Sequence, residues 1–165
     1  MIFLTVGTQF PFDRLVRAVD DLAGTGAIGE EIFAQVGDSA YKPRHFEAVT
    51  ALDKNAFDMQ LVKASAVISH AGMGTIAMAM DHGKAMLAMP RRRRYGEVVN
   101  DHQEGLANKF AACGHILVAR DETELPGRIG QLKAFVPQIR RPSPDAVIRR
   151  ISLFLEGLNR EEARA

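Results

Sequence analysis

Cysteine is almost missing from this chain: Cys113 stands alone among 165 residues. A lone thiol makes no internal disulfide, so a reducing compartment, the cytosol, is expected. Net charge is nearly missing too, at +1 with 25% charged residues, which gives no global pull towards nucleic acid or a membrane surface. No window approaches the roughly 20 apolar residues of a membrane span. The apolar start Met1–Leu4 is too short for a secretory leader, and Asp13 and Arg14 follow soon after. Several chemistries also lack their residues. There is no Asp-x-Asp pair to carry a divalent metal on a diphosphate, no Gly-x-Ser-x-Gly and no Walker pattern. His45, His70, His82, His102 and His115 have no metal-ligand spacing with cysteines or carboxylates. The basic residues have no aromatic interleaving of the kind nucleic-acid readers use. A soluble globular protein is expected, with no nucleic-acid partner.

What is present is alternation. Ile2–Val6, Glu31–Val36, Ala66–Ile68, Ala85–Met89 and Ile116–Val118 read as buried strands, with a short one over His45–Leu52. Between them lie helical stripes. Pro11 suits a first helical position ahead of Phe12, Leu15, Val16, Val19 and Leu22, a helix running to about Gly24. Asp53 caps a helix bearing Phe57, Leu61 and Ala64. Further stripes are Leu106, Ala107, Phe110 and Ala111, closed by Gly114, then Ile129, Leu132 and Val136. Ser143-Pro144-Asp145 opens a last helix whose apolar face is Val147, Ile148, Ile151, Phe154, Leu155 and Leu158. Strand–helix alternation predicts an α/β, Rossmann-like doubly wound parallel sheet over residues 1–141, with residues 142–165 as an amphipathic helix and tail. Part of that helix's stripe is expected to cover the sheet.

Ligands of such sheets sit outside the strand carboxyl ends, near the switch in strand order. Three loops fall there. In Ser69-His70-Ala71-Gly72-Met73-Gly74-Thr75 a strand stops in a glycine turn and restarts as a helix, which aims backbone N–H groups and the helix dipole at an anion, most often a phosphate. The plain alternative is a tight turn packed by His70. A protonated or N–H-donating imidazole at His70 suits a diphosphate. Gly7-Thr8-Gln9 offers N–H groups, a hydroxyl and an amide, or is simply a polar turn. Pro90–Gln103 carries Arg91–Arg94, which could pair with an anion, form a solvated loop, or meet a partner or anionic lipid. There Asp101 with Glu104 reads as a capping box opening the next helix.

Taken in order, Thr5–Gln9, Phe12–Leu15, Ser69–Thr75, His82-Gly83-Lys84 and Asn100–Gln103 resemble the carboxyl-terminal, donor-binding domain of GT-B glycosyltransferases of family 28. The resemblance is greatest to small soluble subunits of bipartite enzymes: exopolysaccharide and capsule subunits of bacteria, and the cytosolic half of the dolichol-linked GlcNAc transferase. It implies one half of a GT-B fold that binds a UDP-sugar without a metal and transfers the sugar with inversion to a lipid-linked saccharide. A membrane-anchored acceptor-binding subunit would recruit it to the inner face of the membrane. By the resemblance His70 is catalytic and, with Gly72, Met73, Gly74 and Thr75, holds the diphosphate. Asp101, His102 and Gln103 meet the sugar, Gly7, Thr8 and Gln9 line the cleft, and the loop at Asp53–Phe57 meets the uracil. Met78 stands where many relatives carry a ribose-gripping glutamate, and Asp81 is expected to face away.

Two other readings remain. Gly72-Met73-Gly74-Thr75-Ile76-Ala77 fits the G-x-G-x-x-A of an NADP-binding Rossmann protein, with arginines further on for a 2′-phosphate. A non-catalytic scaffold that has lost donor binding fits the change at Met78.

Overall fold

The computed structural model describes residues 1–138 and 144–162, with the backbone alone at 146 and 157–162. Six strands form one sheet in the order β3-β2-β1-β4-β5-β6, every neighbouring pair parallel. They are β1 Ile2–Thr5, β2 Ile32–Gln35, β3 Glu47–Val49, β4 Ala66–His70, β5 Ala85–Met89 and β6 Leu117–Val118. The helices between them are α1 Asp13–Gly24, α2 Lys54–Lys63, α3 Met73–Asp81, α4 His102–Ala112 and α5 Leu125–Leu132, with α6 Asp145–Glu162 after the sheet. The chain winds outward from β1 through β2 to β3, then returns to lay β4 on the other flank of β1. This is the doubly wound arrangement expected from the alternation, and its switch point lies between β1 and β4.

Alternation along the strands divides the core in two. Ile2 and Leu4 of β1, Ile68 of β4 and Leu87 of β5 pack under Leu15, Val16 and Val19 of α1 and Leu125 and Leu132 of α5. Phe3, Val67 and Met86 face the other way, onto Leu61 of α2, Ile76 and Ala79 of α3 and Ala107 of α4. Phe3 meets Phe57 edge to face, with ring centroids 5.1 Å apart. Both faces are buried, so the strands carry apolar side chains on both sides and drive the fold at about 1.5–3 kcal/mol per large side chain removed from water.

Three boundaries and one buried face depart from the sequence reading. The first helix starts at Asp13 with Phe12 at its N-cap, leaving Pro11 in the preceding loop. The third strand covers only Glu47–Val49, because the backbone N–H groups of Arg44 and His45 donate to the buried Asp20 carboxylate instead of a ladder. The helix of Ile129 and Leu132 stops before Val136, which is 81% exposed. Most consequential is α6. Val147, Ile148, Ile151, Leu153, Phe154 and Leu155 are all exposed, so none covers the sheet, and the side chain of Leu158 lies outside the described residues. The reason is occupancy: α1 and α5 already roof one face, and α2, α3 and α4 the other. Among the described residues no helix is long and apolar enough to cross a membrane.

Since α6 contributes no buried side chain to either core among the described residues, its removal should not weaken the sheet domain. A chain ending at Arg141 is expected to unfold within about 2 °C of the full chain by calorimetry; a fall of the size that a lost core helix produces, several degrees per kcal/mol, would contradict this.

Candidate functional site

At the carboxyl end of β1 the backbone turns through Gly7, at φ +73°, and Thr8 and Gln9 lie exposed beyond it. Across the switch point β4 ends in His70, whose ring fills the space between the two departing loops. A Cβ placed on Gly7 would lie 2.8 Å from His70 Cε1, and one on Gly72 only 2.1 Å from Nε2. These glycines are therefore demanded first by the imidazole. Gly74 is different: a Cβ there would meet nothing within 4 Å. It is exposed in the first turn of α3, whose N-cap Gly72 supplies no side-chain bond. The opening N–H groups of a helix have no partners within it and carry the positive end of its dipole. This helix start is thus open where an anion would approach, with Met73 exposed beside it and Thr75 turned into the protein.

The protonation state of His70 follows from its neighbours. Ser69 Oγ donates to the Thr5 carbonyl at 2.5 Å and lies 3.1 Å from His70 Nδ1. With the hydroxyl proton committed, Nδ1 carries the ring proton and Nε2 keeps its lone pair, an assignment made from the hydrogen-bond network. Burial, and after it the Arg91 cation, lower the pKa to about 4, against the contrary pull of the Thr5 carbonyl. The free ring is therefore neutral at physiological pH, so of the two forms expected, protonated or N–H-donating, the ligand-free protein does not hold the protonated one. Its N–H points inward, so donation to an anion through Nε2 requires proton uptake.

The arginine run is divided. Arg91 is 2% exposed, and its Nη2 donates to the carbonyls of Val6 and Phe10, at 2.6 and 2.5 Å. Arg92 Nε lies 2.8 Å from Glu104 Oε1 but off the N–H axis, making an ion pair rather than a directed hydrogen bond. Arg93 and Arg94 are exposed. The loop is pinned underneath by Arg14, which binds both carboxylate oxygens of Glu97 at 2.7 and 2.8 Å and Glu122 at 2.8 Å. Arg14 was given no role beyond its place in the Phe12–Leu15 motif, and Glu97 and Glu122 were not singled out from the sequence. They lie far apart in the chain, and no local pattern joins them.

The capping box at the start of α4 does not form. Asp101 Oδ1 accepts from the Arg93 N–H at 2.7 Å, Glu104 turns to Arg92, and the first-turn N–H of His102 donates to Asn100 Oδ1. The reversed loop beneath brings Arg93 to the carboxylate before the helix can use it. Asp101 and His102 are exposed on the rim, whereas Gln103 is buried, with Oε1 accepting the Arg91 N–H at 3.1 Å. Gly7, His70 and Gly72 are thus brought into contact, and Gln103 joins them through Arg91. Met78 is half-buried against the second core cluster and Asp81 is exposed. Asp53 caps α2, accepting from Ala56 N at 2.8 Å. Among the described residues no group of three or more His, Cys, Asp or Glu is placed to hold a metal ion.

A lowered histidine pKa means the folded state resists protonation. The resulting stability is full above the unfolded value near 6.5 and is lost as pH falls towards 4. NMR should show a His70 midpoint near 4, and His70→Gln should remove this acid limb from the stability profile. An ordinary midpoint would contradict the buried, neutral ring.

The glycosyltransferase family 28 C-terminal domain model matches residues 1–142. The UDP-N-acetylglucosamine transferase subunit ALG13 of Homo sapiens is 30% identical over 124 residues, 70% of this chain and 10% of that protein. The Mus musculus protein of the same name is 31% identical over 123 residues, again 10% of its length. The chain therefore spans about a tenth of the curated relatives it matches. Among solved structures, the NMR structure of ALG13 aligns with a TM-score of 0.58 at 16% identity, over 90% of this chain and 92% of that one. A kitacinnamycin glycosyltransferase aligns at 0.59 and 16% identity, over 81% of this chain but 34% of that one. Acinetobacter baumannii MurG aligns at 0.52 and 23% identity, over 80% and 40%. At these identities the alignments speak for the fold, and the chain corresponds to one part of the longer enzymes. On the family match, which covers most of its length, the chain belongs to the glycosyltransferase family 28 C-terminal domain family.

Proposed function

We propose that the chain is the donor-binding, catalytic subunit of a two-component inverting glycosyltransferase that moves a sugar from a UDP-sugar to a lipid-linked saccharide in polysaccharide biosynthesis. The observation that carries this reading is the open start of α3 at Gly74, set beside His70 at the β1/β4 switch point. There the helix dipole and free N–H groups meet a departing diphosphate, and they serve without a metal by stabilising charge as it develops. His70 joins them by taking up a proton, which the incoming negative charge favours. The exposed Asp101 and His102 face the sugar from the rim, with Thr8 and Gln9 across the cleft. Gln103 acts there through Arg91, whose N–H its Oε1 holds.

The acceptor hydroxyl must lose a proton to a general base, which this reading places in the partner. A membrane-anchored acceptor-binding subunit supplies the other wall of the cleft and holds the chain at the inner, cytoplasmic face of the membrane. The exposed apolar side chains of α6 support such a partner. Arg93 and Arg94 add a basic contact, about 1 kcal/mol for each charge near anionic lipid. ALG13 is named as a subunit of a UDP-N-acetylglucosamine transferase, which makes UDP-N-acetylglucosamine the first donor to try. The NADP reading loses ground because the Gly72–Ala77 fingerprint follows β4 rather than β1, and Arg91 is buried.

Calorimetry with UDP and NADPH separates the readings: UDP should bind saturably and NADPH should not. Gly74→Val should abolish UDP binding with the fold retained, and His70→Ala should weaken it by about 1.5–3 kcal/mol, the scale of a hydrogen bond to a charged group. Unchanged affinity in both variants sinks the site. The full chain should be captured with membranes and the chain ending at Arg141 should not, and transfer to lipid acceptor by the purified chain alone would disprove the two-component scheme.

A further inference from the structure

Arg91 does something that the other arginines of its run do not. One nitrogen, Nη2, donates to Val6 O and Phe10 O, the carbonyls that bracket the Gly7-Thr8-Gln9 loop. Its backbone N–H is held by Gln103 Oε1 from the first turn of α4. A single residue thus ties together the loop after β1, the loop after β5 and the start of α4. Its guanidinium carbon lies 5.2 Å from the Phe12 ring centroid, which walls it from solvent.

The second peculiarity is charge. Among the described residues no carboxylate lies within ion-pair distance of Arg91, and its buried Nε has no hydrogen-bond partner. Glu97, the carboxylate that acts on it from further off, is committed to Arg14 and to the Arg92 N–H. Arg14, by contrast, is answered by two carboxylates and needs nothing more. Burying a cation against carbonyls alone is costly unless an anion completes the arrangement. The charge is felt across the switch point, where it helps hold His70 neutral.

Resting on the donor-site reading above, we propose that Arg91 is a positioning residue of this site: it locks the Gly7–Gln9 loop to the start of α4 and keeps an unpaired guanidinium at the carboxyl end of β1 that favours a bound diphosphate. The loop is then set before the ligand arrives, and the ligand pays no ordering cost there. The positive field serves the same ligand without touching it.

The test uses the full chain, with UDP as the probe, in wild type, Arg91→Met and Arg91→Lys. Calorimetry gives affinity and NMR gives the His70 midpoint. Methionine keeps the apolar stem against Phe12 and removes both the charge and the donors. It should weaken UDP by at least about tenfold, the loss of interactions with a charged group, and move the His70 midpoint upward. Lysine keeps the charge on a compact head that lacks the rigid fork. It should leave the His70 midpoint at the wild-type value and give an affinity between the other two. Wild-type affinity in Arg91→Met, or a loss with the His70 midpoint unmoved, overturns the inference. If Arg91→Met does not fold, Arg91→Lys decides: weaker UDP binding with an unmoved His70 supports the inference, and full affinity overturns it. A wild-type chain that fails to bind UDP overturns the donor-site reading and this inference with it, whereas equal binding by wild type and variants overturns this inference alone.

Discussion

Where β1 and β4 run side by side, two loops leave the sheet with room between them for a single imidazole. His70 occupies that room, and everything around the cleft is arranged to let it. Gly7 and Gly72 withhold the Cβ atoms that would strike the ring. Ser69 spends its proton on Thr5 and so turns the Nδ1–H inward. The start of α3 lies beside the switch point, with Gly74 of its first turn exposed and nothing within 4 Å of where its Cβ would stand. A doubly wound sheet places some ligand site here by topology; the histidine determines which backbone groups face it.

Electrostatics divides the neighbourhood into answered and unanswered charges. Arg14 with Glu97 and Glu122 is a closed set, and it fastens α1 to the loop after β5 and the segment before α5. Asp20 is a buried anion answered by Tyr41, Arg44 and His45, and it sets the turn ahead of β3. Arg91 is the exception. The unanswered cation bridges the loops at the carboxyl ends of β1 and β5, a place suited to a protein whose ligand supplies the missing negative charge.

Much of this could be read from the sequence, and the limits of that reading have physical causes. Strands such as Val67–Ile68 and Leu87–Met89 were clear because a doubly covered parallel sheet needs unbroken apolar runs. The glycine turn at Gly72–Gly74 was clear because strand, turn and helix signals fall in register there. Arginine burial was hidden: Arg91 to Arg94 are identical in one-letter code, and their different fates depend on carbonyls and carboxylates many residues away. The cap of α4 was misread for a similar reason, since Arg93 reaches Asp101 only when the loop folds back. The stripe of α6 was correctly seen as apolar, but amphipathicity records that a helix has a face to cover and not which surface covers it.

The wedged ring also imposes a rule on how this sequence can drift. Gly72 has an ordinary backbone conformation, φ −86°, so within the protein a side chain there is barred by the imidazole and not by its dihedral angle. Gly7 carries a positive φ as well as the ring, so it is constrained twice over. A lineage that exchanges His70 for a small side chain releases Gly72 to take alanine or serine while Gly7 stays glycine. Positions 70 and 72 then change as a pair, in that order, and position 7 is left behind as the fossil of the turn.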